Sequence, residues 1–149
     1  MILIVYMFNV KTMTMLALVA VIAILCATCL AKRNSNSGPV AMLTDYSTVN
    51  VEEFQNQIAD PLVQLLDVRT PEEFDEGHIA GAVLVDANEG DFLEKAMAVL
   101  DISRPVAVYC RSGRRSARAS SWLSAKGYKV TNLDGGVIAW QDAGKSLVK

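Results

Sequence analysis

The residues best suited to chemistry lie between an apolar run and a basic cluster. Val106–Tyr109 is an apolar run of β type, and it ends at Cys110. Four arginines follow, from Arg111 to Arg118, with small residues between them. The thiolate is the nucleophilic form of cysteine, and it is stabilised by positive charge and by the unpaired amides at a helix start. The pattern therefore favours a reactive cysteine over a buried structural one.

A strand, a short polar loop and a helix are expected to position this thiol. The loop is predicted to run over Arg111–Arg115, and the helix to begin at Ser116. Apolar residues then recur at helical spacing as far as Gly127, which is typical of a helix stop. This order turns the start of the helix towards Cys110.

The distribution of charge argues against a nucleic-acid-binding protein. The chain has 149 residues, 14 basic and 16 acidic side chains, and a formal net charge of −2. Three of the basic residues and none of the acidic ones occur up to Arg33, so the rest of the chain is acidic. Nucleic-acid affinity depends mainly on phosphate contacts, which such a domain disfavours. The arginines after Cys110 are therefore a local positive site on an acidic domain.

The N-terminal part predicts a signal peptide or a membrane anchor over residues 1–31, followed by a linker over residues 32–39. Met15–Ala31 is an uncharged run that predicts a hydrophobic helix, with a length between a signal-peptide core and a minimal membrane span. Cys29 is a poor candidate for lipidation, because Thr28 precedes it. Cleavage and retention both stay open. Either one makes the membrane a partner and the cell envelope the location, periplasmic if the source is bacterial.

The remaining residues, 40–149, predict one domain in which strands alternate with helices. Tyr46–Ile58 has the pattern of a first helix, with Asn50 as its cap. The apolar run Leu62–Leu66 is typical of a buried parallel strand. Thr70 then begins a second helix with a proline at its first position.

The second half of this domain repeats the alternation. Gly77 is expected to end the second helix, and Val83–Val85 to form a short strand. Asn88 is expected to cap a third helix. Val130–Leu133 predicts a last strand, and Val137–Gln141 a short closing helix. Such alternation indicates an α/β fold with a parallel sheet covered on both faces, whose ligands bind at the carboxyl ends of the strands.

Four segments of the domain carry a family likeness, and they occur in the family's order. They are Leu65–Ala82, Val106–Ala117, the strand ending at Leu133, and Leu133–Trp140. Together they resemble the single-domain rhodaneses, the thiosulfate:acceptor sulfurtransferases. The resemblance implies a rhodanese-like five-stranded parallel sheet and a catalytic persulfide on Cys110.

The chemistry implied by this resemblance is transfer of a sulfane sulfur. Thiosulfate, a small anionic donor, would be held at its sulfonate end by Arg111, Arg114 or Arg115. Sulfite would leave, and a thiol or a cyanide-like acceptor would take the sulfur. No cofactor and no metal is implied. Trp122 and Trp140 are expected in the core.

Other polar residues near the predicted loop are interpreted as its supports. These are Asp67, Arg69, Ser112, Gly113 and Ser116. Asp67 and Arg69 fit a supporting role and a substrate contact equally well. His78, the only histidine, is interpreted as structural because it lies in the turn after Gly77.

Two other functions remain open. One is a sulfur carrier or partner-binding module that holds a persulfide without much turnover. The other is a phosphatase or an arsenate reductase. Cysteine phosphatases place an arginine six positions after the nucleophile, whereas Ser116 occupies that position here and Arg115 the fifth. The shorter loop favours a single added sulfur atom over a tetrahedral phosphate.

Overall fold

A sheet of parallel strands forms the centre of the structure, a computed structural model that describes residues 45–149. In chain order the strands of this part are β1 (Tyr46–Val49), β2 (Gln64–Asp67), β3 (Val83–Leu84), β4 (Val106–Tyr109) and β5 (Val130–Leu133). They lie side by side in the order β1-β5-β4-β2-β3, and every neighbouring pair is parallel. The predicted five-stranded parallel sheet is confirmed.

Helices connect the strands and cover both faces of the sheet. They are α1 (Val51–Ile58), α2 (Pro71–Glu76), α3 (Phe92–Val99), α4 (Arg114–Ser124) and α5 (Gly136–Asp142). Buried side chains of α3 and α4 belong to one core, and buried side chains of α1 and α5 belong to another. Trp140 is buried in the second core, whereas Trp122 is only partly buried against the first.

The central strand β4 supplies both cores. Val106 and Val108 face the core of α3 and α4, whereas Ala107 and Tyr109 face the core of α1 and α5. Successive side chains of a strand point to opposite faces, and a parallel strand covered on both sides is apolar throughout. Cys110 continues the alternation and joins the first core. The strand therefore carries the thiol to the carboxyl edge of the sheet and leaves it buried.

The first strand differs from the sequence prediction. Tyr46–Val49 is a strand at the edge of the sheet, paired in register with Val130–Leu133, and not the first turns of a helix. The pairing with β5 supplies the hydrogen bonds that four residues could not make alone. The predicted cap is nevertheless right, because Asn50 Oδ1 accepts the amide of Glu53 at 2.9 Å and α1 starts directly after it.

The strand β2 begins two residues later than predicted. The Asp60 carboxylate accepts the amide of Leu62 at 2.9 Å in a turn, and Leu62 is 62% exposed. The sequence prediction included Leu62 in the strand because of its apolar character alone. The ladder to β4 starts only at Gln64.

The predicted cap of the third helix is wrong. Asn88 donates its backbone and side-chain N–H groups to the Asp86 carboxylate, both at 2.8 Å. Its side chain is therefore held in a local turn, four residues before α3 begins at Phe92. Asp91 occupies the cap position without a side-chain hydrogen bond.

The predictions for the N-terminal part lie outside the described residues. These are the hydrophobic helix over Met15–Ala31, the linker over residues 32–39 and the domain start at Val40. Within residues 45–149, no helix has the length and apolar character to cross a bilayer.

Candidate active site around Cys110

The thiol of Cys110 lies where β4 ends, and the residue is 1% exposed. Ser116 Oγ lies 3.4 Å from Cys110 Sγ and 3.0 Å from the carbonyl oxygen of Gly113. The hydroxyl has one proton, so it donates to one of these two acceptors at a time. Ser116 can therefore turn its proton to the sulfur when the sulfur is charged.

Six consecutive backbone N–H groups follow Cys110 without an acceptor in the described part of the chain. The amides of residues 111–116 donate to no acceptor among residues 45–149, and the first amide bonded back into the loop is that of Ala117, to Gly113 O at 3.0 Å. Successive unpaired amides at a helix start form an anion-binding concavity. The arrangement suits a thiolate, or an anion bound to it.

The helix α4 begins at Arg114, two residues earlier than predicted. Gly113 adopts the left-handed conformation with φ 86°, and this turns the chain into the helix without a side-chain cap. A Cβ at this position would lie 3.2 Å from the amide nitrogen of Gly135, in addition to the strain of that φ. Arg114 and Arg115 are therefore part of the first helical turn and not of the loop.

The start of α5 is hydrogen-bonded to the backbone of the loop. The amide of Val137 donates to Cys110 O at 2.8 Å, and the amide of Ile138 donates to Arg111 O at 3.1 Å. In a trans peptide the N–H points opposite to the C=O, so the next two loop amides face away from α5. A Cβ at Gly136 would lie 2.3 Å from Cys110 O, which only glycine avoids. The close approach of α5 thus fixes the direction of the amides of Arg111 and Ser112.

Asp67 and Arg69 form a buried ion pair below the loop. Arg69 Nη2 lies 2.6 Å from Asp67 Oδ2, and Nε donates to both carboxylate oxygens. The same Nη2 donates to Gly77 O at 2.9 Å, which ties the end of α2 to the end of β2. Asp67 is fully buried, so of the two roles open from the sequence this geometry favours support.

Tyr109 completes this buried cluster. Its hydroxyl accepts the amide of Ile79 at 3.0 Å, and the Arg69 guanidinium lies 5.7 Å from its ring centre. Burial, aided by the charge of Asp67, raises the pKa of the Tyr109 phenol above its ordinary value. The phenol therefore stays neutral and acts as part of the scaffold.

Glu73 is a residue at the site that the sequence analysis did not identify. Its Oε1 accepts a hydrogen bond from Arg115 Nη2 at 2.7 Å, and the ion pair brings Arg115 Nη1 to 2.6 Å from Oε2. It also accepts the amide of Thr70, whose Oγ1 accepts the amide of Glu73, as in a capping box. The hydrogen bonds from Arg115 lower the pKa of Glu73. Nothing local in the sequence links residues 73 and 115.

Two clefts flank the loop, and Arg111 lines both. The first, about 390 Å³, is lined by arginines and Ser112, and we call it the arginine cleft. Its arginines are Arg111, Arg114, Arg115 and Arg118. The second, about 610 Å³, contains acidic and apolar side chains as well, and we call it the mixed cleft. The three arginines predicted to bind an anion, Arg111, Arg114 and Arg115, therefore line one cleft, together with Ser112, which was predicted to support the loop.

His78 takes part in packing. Its ring stacks on Phe74 with centres 3.7 Å apart, and Nδ1 lies 3.2 Å from Phe74 O. Its backbone forms a bridge to Val148. The contacts are those of the structural residue that the sequence predicted. In the part of the chain that the structure describes, no group of His, Cys, Asp and Glu has the arrangement of a metal site.

Comparisons with known proteins point to one family. A family model described as a Rhodanese-like domain matches residues 50–143. A sulfurtransferase from Allochromatium vinosum is 36% identical over 102 residues, which cover 67% of this chain and 92% of that protein. The thiosulfate sulfurtransferase GlpE from Shewanella oneidensis is 32% identical over 103 residues, covering 68% and 98%. A tRNA uridine(34) hydroxylase from Bacillus velezensis is 33% identical over 94 residues, but these cover only 29% of that protein.

A solved structure has the same fold. The crystal structure of a rhodanese-related protein from Thermoplasma volcanium superimposes with a TM-score of 0.61 and 30% sequence identity. The match covers 69% of this chain and 98% of that chain. Sequence and structure comparisons therefore agree on the same domain.

Proposed function

This chain belongs to the rhodanese-like family, and we propose that it moves a sulfane sulfur from thiosulfate or a similar anionic donor to a thiophilic acceptor through a persulfide on Cys110. The sulfurtransferases among its relatives support transfer chemistry at the level of the family. The thiosulfate donor is supported by the relative named as a thiosulfate sulfurtransferase.

The observation that carries the proposal is the run of open amides that follows the thiol in the chain. The six N–H groups of residues 111–116 have no acceptor within residues 45–149, and Ser116 Oγ at the end of this run lies 3.4 Å from Cys110 Sγ. Successive unpaired amides at a helix start favour a bound anion. The thiolate of Cys110 and the persulfide anion that replaces it are such anions.

The reaction balances without a cofactor. The Cys110 thiolate attacks the outer sulfur of thiosulfate, one S–S bond forms, and the bond to the sulfonate sulfur breaks. Sulfite leaves with the electron pair of that bond, and the enzyme keeps a persulfide anion that carries one negative charge, as the thiolate did. The amides therefore stabilise reactant and intermediate alike, and they need no rearrangement during the step.

The donor sulfonate is assigned to Arg111 and Arg114. Arg115, the third arginine expected from the sequence, is already hydrogen-bonded and ion-paired to Glu73. Arg111 and Arg114 have no acidic partner within residues 45–149, and both line the arginine cleft. Free guanidinium groups with several donors suit a tetrahedral anionic sulfonate.

A persulfide formed on incubation with thiosulfate tests the proposal. We expect the intact mass to rise by one sulfur atom, and cyanide or a thiol to remove that atom with steady turnover. Cys110→Ser should abolish both, because a hydroxyl is not appreciably ionised at neutral pH and is a harder nucleophile. A persulfide without turnover would indicate a sulfur carrier. Hydrolysis of aryl phosphates without an added sulfur would indicate a phosphatase and overturn the proposal.

We also propose that residues 1–31 bring the domain to the cell envelope, as a cleaved leader or as a retained anchor. The uncharged run Met15–Ala31 supports this location. Fractionation of cells that express the full chain tests it. Recovery of the intact chain only in the cytoplasmic fraction would contradict it.

A further inference from the structure

Four of the strands start in one row, which we call the amino edge of the sheet. The first residues of β1, β2, β4 and β5 are Tyr46, Gln64, Val106 and Val130, and they lie side by side in the parallel register. Cys110 follows the last residue of β4, so the candidate active site lies at the opposite edge. The loops that precede these strands form the surface of the amino edge.

The two most exposed large apolar side chains among residues 45–149 both lie in these loops. Leu62 precedes β2 and is 62% exposed, and Ile102 precedes β4 and is 58% exposed. A single exposed apolar residue is ordinary on a protein surface. These two form a patch, because their loops are joined to each other.

Hydrogen bonds hold the two loops together. Arg104 Nε donates to Leu62 O at 2.9 Å. Gln64 Nε2 donates to Asp101 O at 2.8 Å, and Gln64 Oε1 accepts the amide of Asp101 at 2.7 Å. Leu62 and Ile102 are thus exposed on a fixed backbone, and a partner that covers them does not have to order these loops.

Two lysines without an acidic partner adjoin this patch. A Cβ at Gly127 would lie 3.8 Å from Ile102 Cδ1, so the segment between α4 and β5 is next to Ile102. Lys126 and Lys129 in this segment are exposed and have no ion pair within residues 45–149. Apolar side chains beside ammonium groups suit a bilayer surface, where acyl chains lie just below anionic phosphates.

Most acidic residues of the amino edge are engaged in their own turns. Asp60 accepts the amide of Leu62, and Asp101 accepts the amide and the hydroxyl of Ser103. Asp45, directly before β1, is exposed. The free charges near the patch are therefore two ammonium groups and one carboxylate.

The N-terminal part of the chain enters the domain at the same edge, because β1 begins at Tyr46. The uncharged run ends at Ala31. Even when fully extended, residues 32–44 span at most about 45 Å, so a bilayer that holds the run is within reach of the amino edge. Such a tether gives an effective concentration of roughly millimolar, and a contact by two side chains is then sufficient.

We propose that the amino edge docks on the surface of a lipid bilayer, with Leu62 and Ile102 among the upper acyl chains and Lys126 and Lys129 at the headgroup phosphates. The inference rests on the envelope location proposed above, with the run retained as an anchor, and is independent of the sulfur transfer. In this orientation Cys110 faces the aqueous phase, where a soluble donor reaches it.

Quenching of tryptophan fluorescence by spin-labelled lipid tests the orientation. The full chain is incorporated into vesicles of phosphatidylcholine and phosphatidylglycerol that carry a nitroxide on the upper acyl chain. Ile102→Trp places a probe on the amino edge. Ile138→Trp is the matched control, because Ile138 is 44% exposed and its amide is bonded to Arg111 O at the opposite edge. The emission added at position 102 should be quenched at least about twofold more than that at 138, since the tether keeps a weak contact populated.

Removing the patch should lift the quenching. In the Ile102→Trp chain, Leu62→Asp should lower it, because a carboxylate opposes entry into the acyl region. Val83→Asp is the matched control, since it adds the same charge at an apolar residue that is 45% exposed on the outer strand β3. It should leave the quenching unchanged. Lys126→Glu should lower the quenching more in vesicles with phosphatidylglycerol than in phosphatidylcholine alone.

The outcomes separate this inference from the two earlier proposals. Persulfide formation from thiosulfate should be equal in the wild type, Leu62→Asp and Val83→Asp, and resistance to trypsin shows that each variant is folded. If the chain floats with the vesicles but positions 102 and 138 are quenched alike, or Val83→Asp acts as Leu62→Asp does, the docking is wrong and the envelope location stands.

Two further results would overturn the docking. If position 102 is shielded from a water-soluble quencher but not reached by the lipid nitroxide, protein covers the patch, as in a contact with a second copy. If the chain does not associate with the vesicles at all, the envelope location and this inference fail together, whereas the proposed sulfur transfer is unaffected.

Discussion

The helices α2 and α4 meet at the site and begin in opposite ways. At the start of α2, Thr70 and Glu73 form a reciprocal capping box that satisfies two backbone N–H groups. At the start of α4, Gly113 provides no side chain, and no side chain caps the helix. A side-chain cap stabilises a protein by about 1 kcal/mol, so α4 forgoes a common source of stability. The open start is the one beside the thiol, which indicates that its amides are kept for an anion.

The two helix starts are also joined. Glu73, which completes the capping box of α2, forms an ion pair and a hydrogen bond with Arg115 in the first turn of α4. The capped start of α2 therefore positions the uncapped start of α4. Three roles can therefore be tested separately. The open amides of α4 bind an anion, the Glu73–Arg115 pair positions these amides, and the Thr70 cap contributes only to stability.

A charged side chain at the uncapped start of α4 should have the largest effect on activity. Gly113→Asp would place a carboxylate beside the amides of α4 and compete with the anionic substrate. We expect a loss of at least about a hundredfold in kcat/KM for thiosulfate, as when anion-binding donors are removed from an active site. The measurement is sulfur transfer to cyanide, with urea unfolding alongside to show that the protein is folded.

Gly81→Asp is the control for backbone strain. Gly81 has φ 84°, close to the 86° of Gly113, but a Cβ there would meet nothing within 4 Å. This variant should lose some stability and keep its activity. Gly113→Asn adds a side chain of the same shape without the charge, and it should lose less activity than Gly113→Asp. Activity near that of the wild type in Gly113→Asp would refute the anion role of these amides.

Breaking the link between the helices should have an intermediate effect. Glu73→Gln keeps a residue that can complete a capping box but removes the ion pair. We expect it and Arg115→Ala each to lower kcat/KM by about tenfold, which corresponds to about 1.4 kcal/mol. The double variant should be no worse than either single one, because both remove the same interaction. Additive losses would mean that Arg115 contacts the donor directly. Glu72→Gln, on the same helix and without a partner in α4, is the matched control.

The sequence was sufficient where the signals are local. The cap at Thr70, the helix end at Gly77 and the strand over Val130–Leu133 all follow from neighbouring residues, and the structure confirms them. Cys110 at the end of an apolar run was enough to place the thiol at the carboxyl edge of the sheet.

The sequence failed where a feature depends on distant residues. Tyr46–Val49 is a strand only because β5 pairs with it, 84 residues further along the chain. The early start of α4 depends on the left-handed conformation of Gly113, which no pattern in Arg111–Arg115 reveals. The pair of Glu73 and Arg115 joins residues 42 apart, so it was not predictable from neighbouring residues.

Removing the side-chain cap of α2 should affect stability alone. Thr70→Ala removes the acceptor of the Glu73 amide, and its cost should be about 1 kcal/mol in the free energy of unfolding. The Glu73–Arg115 pair does not involve the Thr70 side chain, so kcat/KM for thiosulfate should stay within about twofold, a difference below the 1.4 kcal/mol of a tenfold change. Urea unfolding and sulfur transfer measure the two quantities. A tenfold loss of transfer would show that the cap and the ion pair act as one unit.

The smallest expected effect is the pH dependence of the link between the helices. Hydrogen bonds from Arg115 lower the pKa of Glu73 below its ordinary value of 4.5. A carboxyl whose pKa is lower in the folded state stabilises the fold above its unfolded pKa, and this contribution is lost as the pH falls through the folded value. Arg115→Ala removes the cause of the shift. The wild type should therefore exceed Arg115→Ala in unfolding free energy at neutral pH by about 1 kcal/mol or less, and this difference should shrink below about pH 4.5.

Arg114→Ala is the control, since Arg114 has no acidic partner within residues 45–149 and its difference from the wild type should not change in that window. A difference for Arg115→Ala that stays constant down to pH 3 would mean that Arg115 stabilises α4 by packing, because only the ion pair depends on the charge of Glu73.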